Sequence, residues 1–121
     1  MNMHDEKMGL LIDLKKCRIR IHRNTMKVLG DPSYVMLLVN PEERSIALYS
    51  SDATEKRAHK IPGPRKDGRQ EYEFYSRSLV GSLSRLNAHW HEPRKYRMNG
   101  EFVANEGIVV FRMDQAKQIG V

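Results

Sequence analysis

Between Ser33 and Ser50 the chain reads SYVMLLVN, PEER and SIALYS: an apolar run of strand length, a charged turn, and a segment that alternates apolar with polar. That order is a β-hairpin, and it points to a mainly antiparallel sheet. Upstream, Arg18, Ile19, Arg20, Ile21 and His22 alternate with period two, so Ile19 and Ile21 share a buried face and Arg18 and Arg20 lie on the opposite, wet one. Asn24 and Thr25 are suitable caps for a short helix through Met26, Val28 and Leu29, which Gly30-Asp31-Pro32 stops.

Downstream the same order returns. Tyr72 and Phe74 alternate, and Ser76 caps a helix with Leu79, Val80, Leu83 and Leu86 on one face. Tyr96, Met98 and Phe102, then Ile108 to Met113, read as strands around an Asn105-Glu106-Gly107 turn. Asn99-Gly100 is either a tight turn or a bulge within a longer strand. The expected fold class is α+β, mainly antiparallel β with two short helices. Residues 1–121 form a single domain, in which two β-α-β-β halves, 15–53 and 70–114, are joined by a basic Pro/Gly connection, 54–69. The plainer alternative is one irregular antiparallel sheet with two helices on a face. The apolar lead-in Leu10 to Leu14 is expected to cover a sheet edge or to swap into a neighbour.

With 121 residues there is room for one compact domain, and 40% hydrophobic residues supply a modest core. No apolar run approaches the ~20 residues of a bilayer span. His4, Asp5 and Glu6 precede the apolar patch, which is not the order of a secretory signal, so a cytoplasmic location is expected. Cys17 is the single cysteine, so neither an intrachain disulfide nor a thiolate metal cluster can form within one chain.

The net charge is +6, and its source is local: residues 54–98 carry 11 of the 21 Lys and Arg but 5 of the 15 Asp and Glu. A polyanionic partner is therefore plausible. The run Arg18-Ile19-Arg20-Ile21, then Met26-Lys27-Val28-Leu29-Gly30, then Tyr34-Val35-Met36-Leu37-Leu38-Val39, then Arg44-Ser45-Ile46-Ala47-Leu48 resembles the AbrB-like, swapped-hairpin transcription regulators over residues 18–50. It departs from that pattern at His22, where the family usually has proline, and at Pro32-Ser33, where it has Gly-Asp. The resemblance implies DNA binding by a two-fold barrel of interleaved hairpins, with the first strand and its following loop on the DNA. The matching positions are Arg18, Arg20 and Arg23, with Lys27 nearby. A degenerate second half would let one chain form internally the pair that the family makes from two.

Further basic clusters extend this footprint: Lys56, Arg57 and Lys60; Arg65, Lys66 and Arg69; Arg94, Lys95 and Arg97. Tyr34, Tyr49, Tyr72, Phe74, Tyr75 and Tyr96 are either core or stacking surfaces for single strands. His89-Trp90-His91-Glu92 is the one cluster with a metal-like look, but no third ligand stands at a recognised spacing, and Trp90 reads as an anchor of its loop or an interaction surface. Neither a phosphate loop nor a nucleophile elbow is present, Cys17 has no motif partner, and no cofactor is implied. The expectation is a non-enzymatic DNA-binding protein, a transcription regulator on duplex DNA, acting as a homodimer or an intramolecular pseudo-dimer. Its expected contacts are Arg18, Arg20, Arg23, Lys27, Lys56, Arg57, Arg65, Lys66 and Arg69. The rival is a protein-interaction or adaptor module without nucleic-acid binding, and a metal-dependent hydrolase at His89 and His91 is the weakest reading.

Overall fold

In the computed structural model, which describes residues 7–120, the chain is an antiparallel, nearly closed barrel with two helices. Its elements are β1 (Gly9–Asp13), β2 (Arg18–Ile21), α1 (Arg23–Val28), β3 (Tyr34–Asn40), β4 (Ser45–Ser51), β5 (His59–Lys60), β6 (Glu73–Tyr75), α2 (Arg77–Leu86), β7 (Lys95–Val103), β8 (Ile108–Arg112) and β9 (Lys117–Ile119). The strand order is β5-β3-β4-β8-β7-β1-β2-β6, with β9 paired to β7. The two end strands meet where the His59 ring stacks on Phe74, centroids 4.2 Å apart and planes 17° from parallel.

Period-two alternation builds the interior. Leu10 and Ile12, Ile19 and Ile21, Val35 and Leu37, Ile46 and Leu48, Tyr96 and Met98, and Val109 and Phe111 all turn inward. The helices add Met26, Val80 and Leu83 to the same core. At such a centre, each large aliphatic side chain contributes about 1.5–3 kcal/mol through burial alone.

The largest departure from expectation is β1. The lead-in neither covers an edge nor leaves the barrel; it lies inside the sheet, paired to β2 on one side and β7 on the other. Residues 54–69 are not wholly a connection either, because His59–Lys60 pairs with Tyr34 and Val35. Asn99-Gly100 runs through one nine-residue strand, β7. Asn24 and Thr25 do not cap α1: His22 does, its Nδ1 accepting from the Asn24 N–H at 3.1 Å. Thr25 is instead buried and ties the helix to β1, its Oγ1 accepting from the Gly9 N–H at 2.9 Å.

The ladders follow a pattern. β2 pairs with β6, β4 with β8, β1 with β7 and β3 with β5, while β3–β4 and β7–β8 are hairpins. Exchanging β1–β4 for β5–β8 throughout leaves this neighbour order unchanged. The β1–β2 ladder has its counterpart position at β5 and β6, where the sheet ends face each other across the His59–Phe74 stack.

Gly100 is demanded by packing rather than by its backbone. A Cβ there would stand 2.6 Å from Phe111 Cε1 and 2.7 Å from Val109 Cγ1, both fully buried. Gly100→Ala is therefore expected to lower stability in urea unfolding by about 1–3 kcal/mol, the usual cost of overpacking. Gly63→Ala, with open space around it, is the neutral control.

Candidate nucleic-acid interface

The outer face of β6-β2-β1-β7-β9 carries the basic residues in rows set by register. One row runs Glu73, Arg20, Leu11, Arg97, Lys117, and the next runs Tyr75, Arg18, Asp13, Lys95, Ile119. β1 supplies the centre of each row.

Arg18 does lie on the face opposite Ile19 and Ile21, but it is not wet. Its side chain is 12% exposed, with Nη2 3.2 Å from Asp13 Oδ2 and Nη1 3.9 Å from Glu73. Asp13 is itself buried, and its Oδ1 also accepts from the Lys16 N–H in the β1–β2 turn. A guanidinium held this way is structural, because freeing it would leave a buried carboxylate unpaired. Arg20 is intermediate: Nε and Nη2 both donate to Glu73 Oε1, at 3.0 and 2.7 Å, yet its side chain is 41% exposed.

The other expected contacts are exposed. Arg23 and Lys27 stand on α1 without ion pairs among the described residues. Arg65 and Arg69 share Glu71 at 3.3 and 3.9 Å from well-exposed positions, and Lys66 lies beside them. Exposed pairs of this kind are worth about 0–1 kcal/mol, so these arginines can exchange a carboxylate for a phosphate at little cost. Lys56 and Arg57 lie on the β4–β5 connection, Arg57 beside Glu55 at 3.6 Å, and line none of the clefts described below.

Arg20, His22, Arg23 and Arg69 converge on one open cleft of about 590 Å³, whose lining also includes Gln70, Glu71 and Tyr72. Its neighbour across β2, a notch of about 120 Å³, adds Arg97 over Gly9. The imidazole of His22 is held below its ordinary pKa, first by burial and then by Arg97, Arg23 and Lys7, so several cations bear on one point. Sequence alternation places Lys95 and Arg97 on one face; the pairing of Arg97 beside Leu11, with Lys117 beyond it, comes only from the β1 and β9 ladders.

The outer face of β3-β4-β8 differs in kind. Leu38, Ala47, Val110 and Glu101 form one row and Met36, Tyr49, Ile108 and Val103 another, with Leu38 46% exposed. A groove of about 470 Å³ crosses it.

Trp90 is buried and stacks on Tyr96 at 4.6 Å, anchoring its loop to the core. His89 and His91 are exposed, and no cluster of three or more metal-ligating side chains occurs among the described residues. Phe74 and Tyr96 are core, and Tyr75 is the most exposed aromatic at 62%. Cys17 sits in the β1–β2 turn at φ 53°. No described helix is long and apolar enough to cross a membrane. No family model matches the chain, and neither a curated protein nor a solved structure does.

Two outcomes follow from this geometry. Asp13→Ala is expected to cost about 3 kcal/mol in urea unfolding, because it removes the closer of the two carboxylates that hold the largely buried Arg18, whereas Glu55→Gln is expected to be near neutral. The second concerns pH, because burial also holds His59 below its ordinary pKa. With both imidazoles depressed, the unfolded chain binds more protons than the folded one just below pH 6.5, so stability is complete above that pH and falls as pH drops through it. His59→Phe, which keeps the stack on Phe74, is expected to flatten part of that fall in denaturant titrations between about pH 7 and 5.

Proposed function

We propose that this chain is a non-enzymatic DNA-binding protein, a transcription regulator that grips duplex DNA through the basic outer face around β2. The observation that carries the reading is the convergence of Arg20, Arg23, Arg69 and Arg97 on adjoining clefts, from three separate stretches of the chain: the β2–α1 junction, the loop before β6, and β7. Guanidinium groups stay protonated and offer paired donors, which suits phosphate oxygens and not proton transfer, so the face is a binding surface rather than a reaction centre. Lys27 on α1 and Arg65 and Lys66 on the adjoining loop extend it, and each such contact adds salt dependence.

The AbrB-like resemblance shares Arg20, Arg23 and Lys27 with this face, while Arg18, its other matching position, is held by Asp13. A strand order unchanged by exchange of β1–β4 with β5–β8 supports a swapped-hairpin barrel in which two copies of one unit have been joined in a single chain. On that reading the halves begin at β1 and β5, before the alternating strands that the sequence marks, and the chain is its own pseudo-dimer.

The test is fluorescence anisotropy with labelled duplex and single-stranded DNA across a range of salt. The wild type is expected to bind duplex with a steep negative slope of log K against log salt. Arg23→Gln/Arg69→Gln is expected to reduce that slope by about 2 while leaving the fold intact. Binding that is absent at low salt, or insensitive to salt, overturns the proposal.

The apolar outer face of β3-β4-β8 favours a second reading, a protein-interaction module. Such binding would survive salt, be lost in Leu38→Asp and be unaffected by the arginine changes.

A further inference from the structure

We propose that the notch over Gly9 is a site for one phosphate group, clamped by Arg97 with His22 and Arg20 beside it. The proposal rests on the reading of this face as phosphate-binding, and it names the contact on which that reading turns.

β1 presents Gly9, Leu11 and Asp13 to the outside, and only Gly9 has no side chain there. A Cβ built on it would meet Nε and Nη2 of Arg97 at 3.5 Å, an ordinary contact distance, so the guanidinium rests directly over the glycine. Arg97 is half-buried, and among the described residues no carboxylate reaches it and no acceptor takes its N–H groups. Arg18, Arg20, Arg65 and Arg69 each face a carboxylate. A half-buried guanidinium with no protein acceptor keeps its donors for solvent or a ligand, and the Nε and Nη2 edge is the one that binds two oxygens of an oxyanion at once.

The surroundings favour an anion. His22 Nδ1 accepts the Asn24 N–H, which leaves Nε2 as the protonated, donating nitrogen of the neutral ring. Arg20 spends Nε and Nη2 on Glu73, and its Nη1 is not used there. Arg23 and Lys7 add positive potential at His22. Leu10, Leu11 and Ile119 form the rest of the lining, so the charges act beside apolar walls that strengthen them.

Size and rigidity fit as well. The notch holds about 120 Å³, several times the ~30 Å³ share of one water, which accommodates a tetrahedral oxyanion and leaves the rest of a larger molecule outside. Its floor is pinned: the Gly9 N–H donates to Thr25 Oγ1, and the Gly9 carbonyl accepts from the His22 N–H at 2.9 Å. The chemistry is that of a phosphate group, whether in a nucleic-acid backbone or free in solution.

The experiment is a titration of the ¹⁵N-labelled chain with inorganic phosphate at constant ionic strength, following the Gly9 and Leu10 amides and the Arg97 Nε–H. Saturating shifts are expected in the wild type and in Arg77→Gln, which removes the same charge from the exposed start of α2. They are expected to vanish in Arg97→Gln and in Gly9→Val, which puts a side chain under the guanidinium and keeps every charge. Shifts that do not saturate, or that persist in both notch variants, overturn the proposal. A parallel arm measures duplex DNA binding, where Arg97→Gln is expected to lower the salt slope by about 1. Phosphate saturation without DNA binding would sink the DNA reading and leave the notch as a site for free phosphate. DNA binding with an unchanged slope in Arg97→Gln, and no saturation by phosphate, would sink the notch alone.

Discussion

Everything on the basic face depends on β1 being paired along both edges. Inward, Leu10 and Ile12 are 1% and 0% exposed and join the sheet between β2 and β7. Outward, each of the three remaining side-chain positions sets a different property. Asp13 holds Arg18, Leu11 spaces Arg20 from Arg97, and Gly9 lets the Arg97 guanidinium rest directly over it. Thr25 ties α1 to the same strand, so the exposed cations of the helix are held in position relative to those of the sheet.

The arginines thereby divide by desolvation. Arg18 gives up water for a buried carboxylate, and such a pair is costly to break, at several kcal/mol once one partner is removed. Arg65 and Arg69 keep most of their exposure, and their shared Glu71 competes weakly with any outside anion. Arg20 lies between, doubly bonded to Glu73 but open to water. Arg97 is half-buried over Gly9, and among the described residues no carboxylate or other protein acceptor takes its donors. A count of basic residues treats these groups alike; their surroundings make one a structural strut and others available to a ligand.

The barrel also separates its two outer faces. β6-β2-β1-β7-β9 carries the arginines described above, while β3-β4-β8 carries apolar rows beside a groove, with Leu38 their exposed member. β7 belongs to both, since its first part pairs with β1 and its last residues with β8. Gly100 stands at the change of partner and makes room for Phe111 and Val109 beneath it. One strand thus carries Arg97 on the charged face and Val103 on the apolar one.

Local signals were enough for much of this. The β3–β4 hairpin, the α2 helix with its Ser76 cap, the turn at Gly107 before β8 and the inward face of β2 are legible because each is decided by neighbours within a few residues: alternation, a capping hydroxyl, a glycine at positive φ. Net charge and its concentration in the middle of the chain are likewise properties of the sequence itself. What needed the tertiary structure is pairing at long range. The short MGLLIDL segment has no strand-like alternation to announce it, and it becomes a central strand only because β2 and β7 supply hydrogen bonds on both sides. His59–Lys60 is too short to signal anything and is a strand because β3 offers an edge. The same limit applies to the interface: alternation told which face Arg18 and Arg20 occupy, but whether a guanidinium there is buried, paired or free depends on Asp13, Glu73 and Gly9 arriving from other strands, and the electrostatics of a site follow from distance in space, not from order along the chain.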